Sequence, residues 1–145
     1  MSGASALPAG WKPVAVIPYS GGVMCRDSKL RYTTDPAPTM LMHGTKDRIV
    51  TYKSLGLPFG KKMHGGKKMD KALTRQDIPH WFIRFDGIGH EVADWLPGSV
   101  DLFCTFVDLT LAGRITTLDA TMTDSGLKPT AWAQMNMFQL YGGKR

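Results

Sequence analysis

Residues 38–50 read PTMLMHGTKDRIV, and the fold class can be inferred from them. Its apolar part, residues 39–43, is introduced by prolines and closed by Gly44. A continuous apolar run of this length is typical of a strand that is buried on both faces, as in a parallel sheet. We therefore predict a central strand here, followed by a polar turn that contains Asp47.

Two further runs have the same character. Residues 14–18 (VAVIP) stop at a proline, and residues 80–85 (HWFIRF) are rich in aromatic and β-branched residues. Parallel neighbours need a long crossover connection, and the segment between the second and third runs provides one. Its helix begins near Thr51 or after Gly66, and its glycines predict a loop in the middle.

A helix is predicted after Ser99, which is placed as its N-cap. An apolar stripe at helical spacing follows, and Gly113 is placed to end the helix. The stripe consists of Val100, Phe103, Val107 and Leu111. The order strand, crossover, strand, helix predicts an α/β fold with a mostly parallel sheet.

The tail is less regular than the body. Residues 131–140 predict a short helix that packs Trp132, Met135 and Phe138 onto the rest of the chain. We therefore divide the chain into a body at residues 1–113 and a C-terminal extension at residues 114–145.

Two turns carry the chemistry, and each directly follows a predicted strand. Asp47 lies in the turn HGTKDRIV, and His90 lies in the turn GIGHE. Functional groups gather at the carboxyl ends of strands in an open parallel sheet, so we expect both side chains on one rim. There the carboxylate orients the imidazole and stabilises the imidazolium that forms when a serine proton is taken.

These two turns resemble the acid and histidine turns of α/β-hydrolases. The likeness spans about residues 14–113 and is greatest to esterases and lipases, including bacterial polysaccharide-side-chain esterases; prolyl-oligopeptidase-like enzymes are similar. The resemblance implies the C-terminal half of a three-layer α/β/α fold, with Asp47 as the acid and His90 as the general base. It implies hydrolysis of a small-molecule or carbohydrate-linked ester through an acyl-enzyme, and no metal or organic cofactor.

The chain departs from this family at the nucleophile. The G-x-S-x-G elbow, which precedes the acid and the histidine in α/β-hydrolases, does not occur in the sequence. Ser20 follows a predicted strand, but it has proline in place of the first glycine and is too close to Asp47 for the intervening elements. We therefore expect Ser20 to end a strand, the nucleophile to lie outside this chain, and the chain alone to be inactive.

Each candidate residue also has a purely structural interpretation. Asp47 is alternatively a turn aspartate, and His90 a loop histidine. His43 is expected to be a buried, hydrogen-bonded strand residue, and Glu91 a helix-start or surface carboxylate. His64 and His80 lack the clustered partners of a zinc site. The competing function is a non-catalytic binding or structural module that keeps a hydrolase-like scaffold.

The net charge of +6 is local, because a third of the basic residues lie between Lys53 and Lys71. This stretch has too few aromatic residues for a nucleic-acid surface. Residues 60–66 have the glycine interval of a phosphate-binding loop but not its Lys-Ser/Thr ending. We interpret the stretch as a solvated basic loop.

The remaining expectations concern the state of the chain. Residues 1–13 show no secretory signal and no run is long enough for a membrane span, although esterases of this kind are often secreted or periplasmic. Cys25 and Cys104 are expected to be buried free thiols. An open sheet edge predicts poor solubility or self-association.

Overall fold

The protein is described by a computed structural model that covers residues 8, 10–32 and 35–141. The prediction that residues 1–13 contain no secretory signal concerns residues that lie mostly outside this part. The described residues form two small sheets, three α-helices and several 3-10 turns. The strands are β1 (Val23–Cys25), β2 (Thr39–Gly44), β3 (Ser54–Gly56), β4 (Lys62–His64), β5 (His80–Phe85) and β6 (Leu118–Met122), and the helices are α1 (Gly66–Arg75), α2 (Val100–Leu111) and α3 (Met137–Tyr141).

The larger sheet is parallel and has the order β2-β5-β6. β2 and β5 pair from Thr39 with His80 to Gly44 with Phe85, so both strands end at the same level. Their residues are almost entirely buried, as the continuous apolar runs predict. This confirms a chain of mixed helices and strands built on a parallel sheet, and it places the turns that contain Asp47 and His90 side by side.

Residues 14–18 do not form the regular strand that we predict. They lie parallel to β2 but pair with it only through two isolated bridges, Val16 with Thr39 and Tyr19 with Met42. The prolines at both ends explain the difference, because a proline has no N–H to donate and its φ is fixed. The segment is nevertheless the outer neighbour of β2 in the described part of the chain, and it leaves an open edge.

Alternate residues of the sheet pack into two separate apolar clusters. Met40 and Met42 share one cluster with Phe106 of α2. Leu41, which lies between them on β2, shares the other cluster with Met69 and Leu73 of α1. Because successive strand residues point to opposite faces, both faces of β2 and β5 are covered.

The crossover between β2 and β5 is more regular than the sequence indicates. The sequence predicts a loop in the middle of the crossover, but this part contributes β3 and β4 to an antiparallel sheet of order β1-β4-β3. α1 begins at Gly66, which is the second of the two predicted starts. Short strands with polar and glycine residues give little periodicity, and tertiary pairing forms them here.

α2 follows Ser99 as predicted, but Ser99 does not cap it. The Ser99 hydroxyl donates to Leu96 O and lies 2.6 Å from the Tyr19 hydroxyl. Gly113 ends the helix with a φ of +64°. Its N–H donates to Thr110 O and the next N–H donates to Leu109 O, which is a Schellman ending.

The predicted stripe of α2 is not the face that packs. Phe106 is fully buried, with Leu102 and Leu109 beside it in the cluster, whereas Val100, Phe103 and Leu111 are exposed. Both sets have helical spacing, and only the direction of approach to the sheet separates them. Cys104 lies on the outer side of this helix and is exposed, and Cys25 is half-buried. The expectation of two buried thiols is therefore wrong, although both are free.

The C-terminal extension also differs from its prediction. β6 adds a third parallel strand next to β5, where no strand was expected. The single helix predicted at residues 131–140 is a 3-10 turn, Trp132–Gln134, followed by α3. Trp132, Met135 and Phe138 are substantially exposed, and Ala133 is the buried residue. No helix in the described part of the chain is long and apolar enough to cross a membrane.

Candidate active site

The acid turn is built by Asp47 itself. One carboxylate oxygen, Oδ1, accepts the backbone N–H groups of Ile49 and Val50, both at 3.0 Å. Asp47 is only 4% exposed, so the turn would otherwise bury these N–H groups without partners. The aspartate therefore shapes the turn, as the structural interpretation requires, and its second oxygen is directed elsewhere.

That second oxygen, Oδ2, lies 2.8 Å from His90 Nδ1. The two residues are 43 positions apart in the chain, and the equal ends of β2 and β5 bring them together. The structure thus places both sequence-predicted site residues in one hydrogen bond. Because a carboxylate only accepts, the proton of the neutral imidazole is on Nδ1, and Nε2 carries the free electron pair.

Gly44 makes this approach possible. A Cβ at this position would lie 2.1 Å from Gly89 O and 2.4 Å from Ile88 O. The backbone of the histidine turn therefore rests directly on the end of β2. The Lys46 N–H donates to Ile88 O at 2.9 Å and ties the two turns together.

A second histidine borders the same carboxylate. His43 lies at the end of β2, is 1% exposed, and accepts the Gly66 N–H at Nδ1. Its Nε2 therefore carries the proton, which it donates to Val50 O at 2.9 Å; the distance from Nε2 to Asp47 Oδ2 is 3.4 Å. Burial lowers the pKa of His43, only partly offset by the charge of Asp47. His43 is thus a buried, hydrogen-bonded strand residue, as predicted, and the lowered pKa makes it neutral. It links the acid turn to the start of α1.

The side chain of His90 is held on its other side by the C-terminal extension. The ring of Trp132 meets the imidazole edge to face, with 5.9 Å between the ring centroids. The His90 side chain keeps 18% of its surface exposed. Among the described residues no hydrogen-bond partner lies at Nε2, so this nitrogen is available to a reacting group.

Glu91 fixes the extension in this position. It lies in the first turn of the 3-10 helix His90–Asp94, which agrees with the expected helix-start position, but it is only 4% exposed and is therefore not a surface carboxylate. It accepts the N–H of Gly89 and both the N–H and the hydroxyl of Thr130, and the Gln134 amide lies at the edge of hydrogen-bonding distance. Burial raises the pKa of Glu91, but these hydrogen bonds outweigh it and hold the pKa below its usual value.

Ser20 is close to β2 but is not placed to act as a nucleophile. It is 1% exposed, has a φ of +50°, and donates its backbone N–H to Met42 O. Its hydroxyl is buried and has no partner among the described residues. A substrate cannot reach this oxygen without a rearrangement of the strand end.

The sequence gives no local signal for Trp132, Thr130 or Gln134 as neighbours of the site. They reach it only because β6 returns the chain to the carboxyl edge of the sheet. His64 and His80 have both ring nitrogens engaged elsewhere. Within residues 8, 10–32 and 35–141 no cluster of three His, Cys, Asp or Glu side chains is arranged to hold a metal ion.

Comparison of the chain with protein-family models, with curated proteins and with solved structures yields no significant match.

Proposed function

We propose that this chain carries the acid and the general base of a serine-type carboxylic-ester hydrolase. The observation that supports this most is the 2.8 Å contact between Asp47 Oδ2 and His90 Nδ1 at the carboxyl ends of adjacent parallel strands. If Asp47 only stabilised its turn and His90 were only a loop residue, nothing would require a hydrogen bond between them. The buried carboxylate, the fixed tautomer and the free Nε2 are what a general base requires.

In the proposed reaction His90 Nε2 takes the proton of a serine hydroxyl as its oxygen attacks the ester carbonyl. Asp47 stabilises the imidazolium through its contact with Nδ1. The imidazolium then gives the proton to the departing alcohol, which leaves an acyl-enzyme. A water molecule attacks the acyl group in the same way, and its proton passes through Nε2 back to the serine. The substrate is a small-molecule or carbohydrate-linked ester.

The nucleophile belongs, in this proposal, to sequence outside this chain. No G-x-S-x-G occurs here, and the Ser20 hydroxyl is buried. Because members of a triad act as a unit, the loss of one costs roughly 10⁴- to 10⁶-fold in rate. The chain alone is therefore expected to be inactive.

The proposed architecture is the C-terminal half of a three-layer α/β/α hydrolase fold. α1 and α2 share clusters with opposite faces of β2 and β5, which agrees with a helix layer on each side. The segment at residues 14–19 is the outer neighbour of β2, where the strand that bears the elbow would be added. Self-association through this open edge also stays a prediction, and a single monomeric species on size exclusion at micromolar concentration would contradict it.

The second candidate is a non-catalytic module on a hydrolase-like scaffold. It is favoured by one observation: no serine hydroxyl in the described part of the chain forms a hydrogen bond with His90. The first candidate requires a serine outside this chain whose reactivity depends on His90, and the second candidate requires no such serine.

Affinity purification followed by fluorophosphonate labelling distinguishes them. A tagged form of the protein is recovered from its own cells with any bound polypeptide, labelled, and mapped by peptide mass spectrometry. The proposal predicts a labelled serine outside residues 1–145 whose labelling is lost in His90→Ala and Asp47→Ala. Asp94→Ala, an exposed carboxylate on the same turn, serves as the control. The absence of any His90-dependent label supports the module.

A further inference from the structure

A cleft of about 520 Å³ opens beside the acid turn. One wall is the turn itself and the residues after it, including Lys46, Arg48 and Lys53. The lining also includes Gln134 of the C-terminal extension. Asp47 lies at the boundary between this cleft and His90, so the cleft is next to the proposed reaction centre.

The charge of this cleft is positive. Lys46, Arg48 and Lys53 are exposed, and in the described part of the chain none of them lies within 4.0 Å of a carboxylate. Asp47 is the acidic residue of the lining, but its oxygens already accept two backbone N–H groups and His90. The lining therefore carries three exposed cations against one buried carboxylate, and this net positive charge favours an anionic ligand.

A second, smaller cleft of about 260 Å³ adjoins the first and shares Asp47, Arg48 and Thr51 with it. Its other lining residues include the apolar side chains of Leu55 and Phe138. Arg48 thus stands between a basic and an apolar compartment. A ligand that fills both has a charged group attached to an apolar body.

The Glu91 network holds one wall in place. Glu91 binds Thr130 through two hydrogen bonds and lies 3.5 Å from the Gln134 amide nitrogen. The extension that carries Gln134 and Phe138 is therefore attached to the histidine turn. The cleft is formed between two anchored segments and does not depend on flexible surface side chains alone.

We propose that this cleft binds the carboxylate of an ester substrate that has an apolar, aromatic or alkyl body. Arg48 and Lys53 pair with the carboxylate, and Leu55 and Phe138 contact the body. The substrate class rests on the proposed function, but binding to the cleft does not, because it needs neither a nucleophile nor turnover.

Amide chemical shifts measured by NMR on the purified chain test this. The first probe is monomethyl terephthalate, which has one carboxylate, an aromatic ring and a methyl ester. The second is methyl 4-carbamoylbenzoate, which replaces the carboxylate by a neutral amide of nearly the same shape. We expect saturable shifts at residues 46–55 and 134–138 with the first probe, and binding weaker by about tenfold with the second at low salt.

The variants address the same question. Arg48→Gln combined with Lys53→Gln is expected to weaken binding of monomethyl terephthalate by about tenfold, because each exposed ion pair contributes a factor of a few. Lys61→Gln combined with Lys71→Gln removes two exposed charges elsewhere and leaves the affinity unchanged. The proposal would be overturned if both probes bound with equal affinity or if the Arg48 and Lys53 variant bound as tightly as the unchanged protein. It would also be overturned if the chemical shifts changed outside the cleft, or if inorganic phosphate bound as tightly as monomethyl terephthalate.

Discussion

Glu91 Oε1 accepts hydrogen bonds from both the backbone N–H and the hydroxyl of Thr130, 39 residues further along the chain. This relationship attaches the C-terminal extension to the turn that carries His90. It also explains why Trp132 reaches the His90 ring. The site is therefore assembled from three separate parts of the sequence, and its geometry depends on contacts that do not themselves take part in the proposed reaction.

Glu91→Ala is expected to loosen the extension. The change leaves the buried Gly89 N–H without an acceptor and removes both hydrogen bonds to the exposed Thr130, at a cost of about 1–3 kcal/mol. Chemical denaturation measures the free energy of unfolding, and hydrogen exchange at residues 130–134 reports the local effect. Glu91→Gln keeps one acceptor and should lose less, and Asp94→Ala should lose almost nothing. Equal protection of residues 130–134 in Glu91→Ala and in the unchanged protein would contradict the role of Glu91.

His80 is expected to stabilise the protein most at low pH. Burial lowers the pKa of His80, but hydrogen bonds to Asp70 and to Ile78 O outweigh it and raise the pKa above the usual value. The contribution is therefore complete below a pH of about 6.5 and is lost as the pH rises through the raised pKa. The free energy of unfolding of His80→Gln, subtracted from that of the unchanged protein, should shrink across this range. A difference that grows with pH would be inconsistent with a charged His80.

His43 should show the opposite dependence. Burial lowers its pKa in the folded state, so the unfolded chain binds the proton more tightly. Its contribution to stability is therefore lost as the pH falls below about 6.5. His43→Gln, compared with the unchanged protein from pH 7.5 to pH 5, should flatten the fall in the free energy of unfolding. An unchanged slope would mean that His43 is not the neutral residue that the structure describes.

Gly44→Ala is expected to separate the two turns. The added Cβ would meet Gly89 O and Ile88 O at 2.1 and 2.4 Å, so backbone must move. We expect a loss of about 3 kcal/mol or more in the free energy of unfolding. The matched control is Gly56→Ala, where a Cβ meets nothing within 4 Å and the change should stay within about 0.5 kcal/mol. Similar losses in the two variants would show that the turns are not in close contact.

The central strands and the acid and histidine pair could be predicted from the sequence for a physical reason. A strand covered on both faces needs a continuous apolar run, and β2 and β5 are such runs. Parallel strands that start and end together place the turns after them on the same edge of the sheet. The proximity of Asp47 and His90 can therefore be predicted from their positions directly after β2 and β5. The buried state of His43 follows in the same way from its place at the end of β2.

Other features could not be predicted because the deciding interaction is distant. α2 has two apolar sets at helical spacing, and only packing selects Phe106 over Phe103. β6 (LDATM) does alternate apolar and polar residues, which is the pattern of a half-buried strand. It is only five residues long, however, and only its pairing with β5 shows that it is a strand. The position of Glu91 at a helix start could be predicted, but its burial could not, because it depends on Thr130, which lies 39 residues further along the chain.

The tautomer of His90 decides whether Asp47 prepares it to act as a base, because the proposed base needs a proton on Nδ1 and a free electron pair on Nε2. Long-range ¹⁵N–¹H spectra of the imidazole distinguish the two nitrogens in the neutral ring. We expect the proton on Nδ1 in the unchanged protein and loss of this preference in Asp47→Ala, with Asp94→Ala as the control. A proton on Nε2 in the unchanged protein, or the same tautomer in Asp47→Ala, would contradict the claim that Asp47 prepares His90 to act as a base.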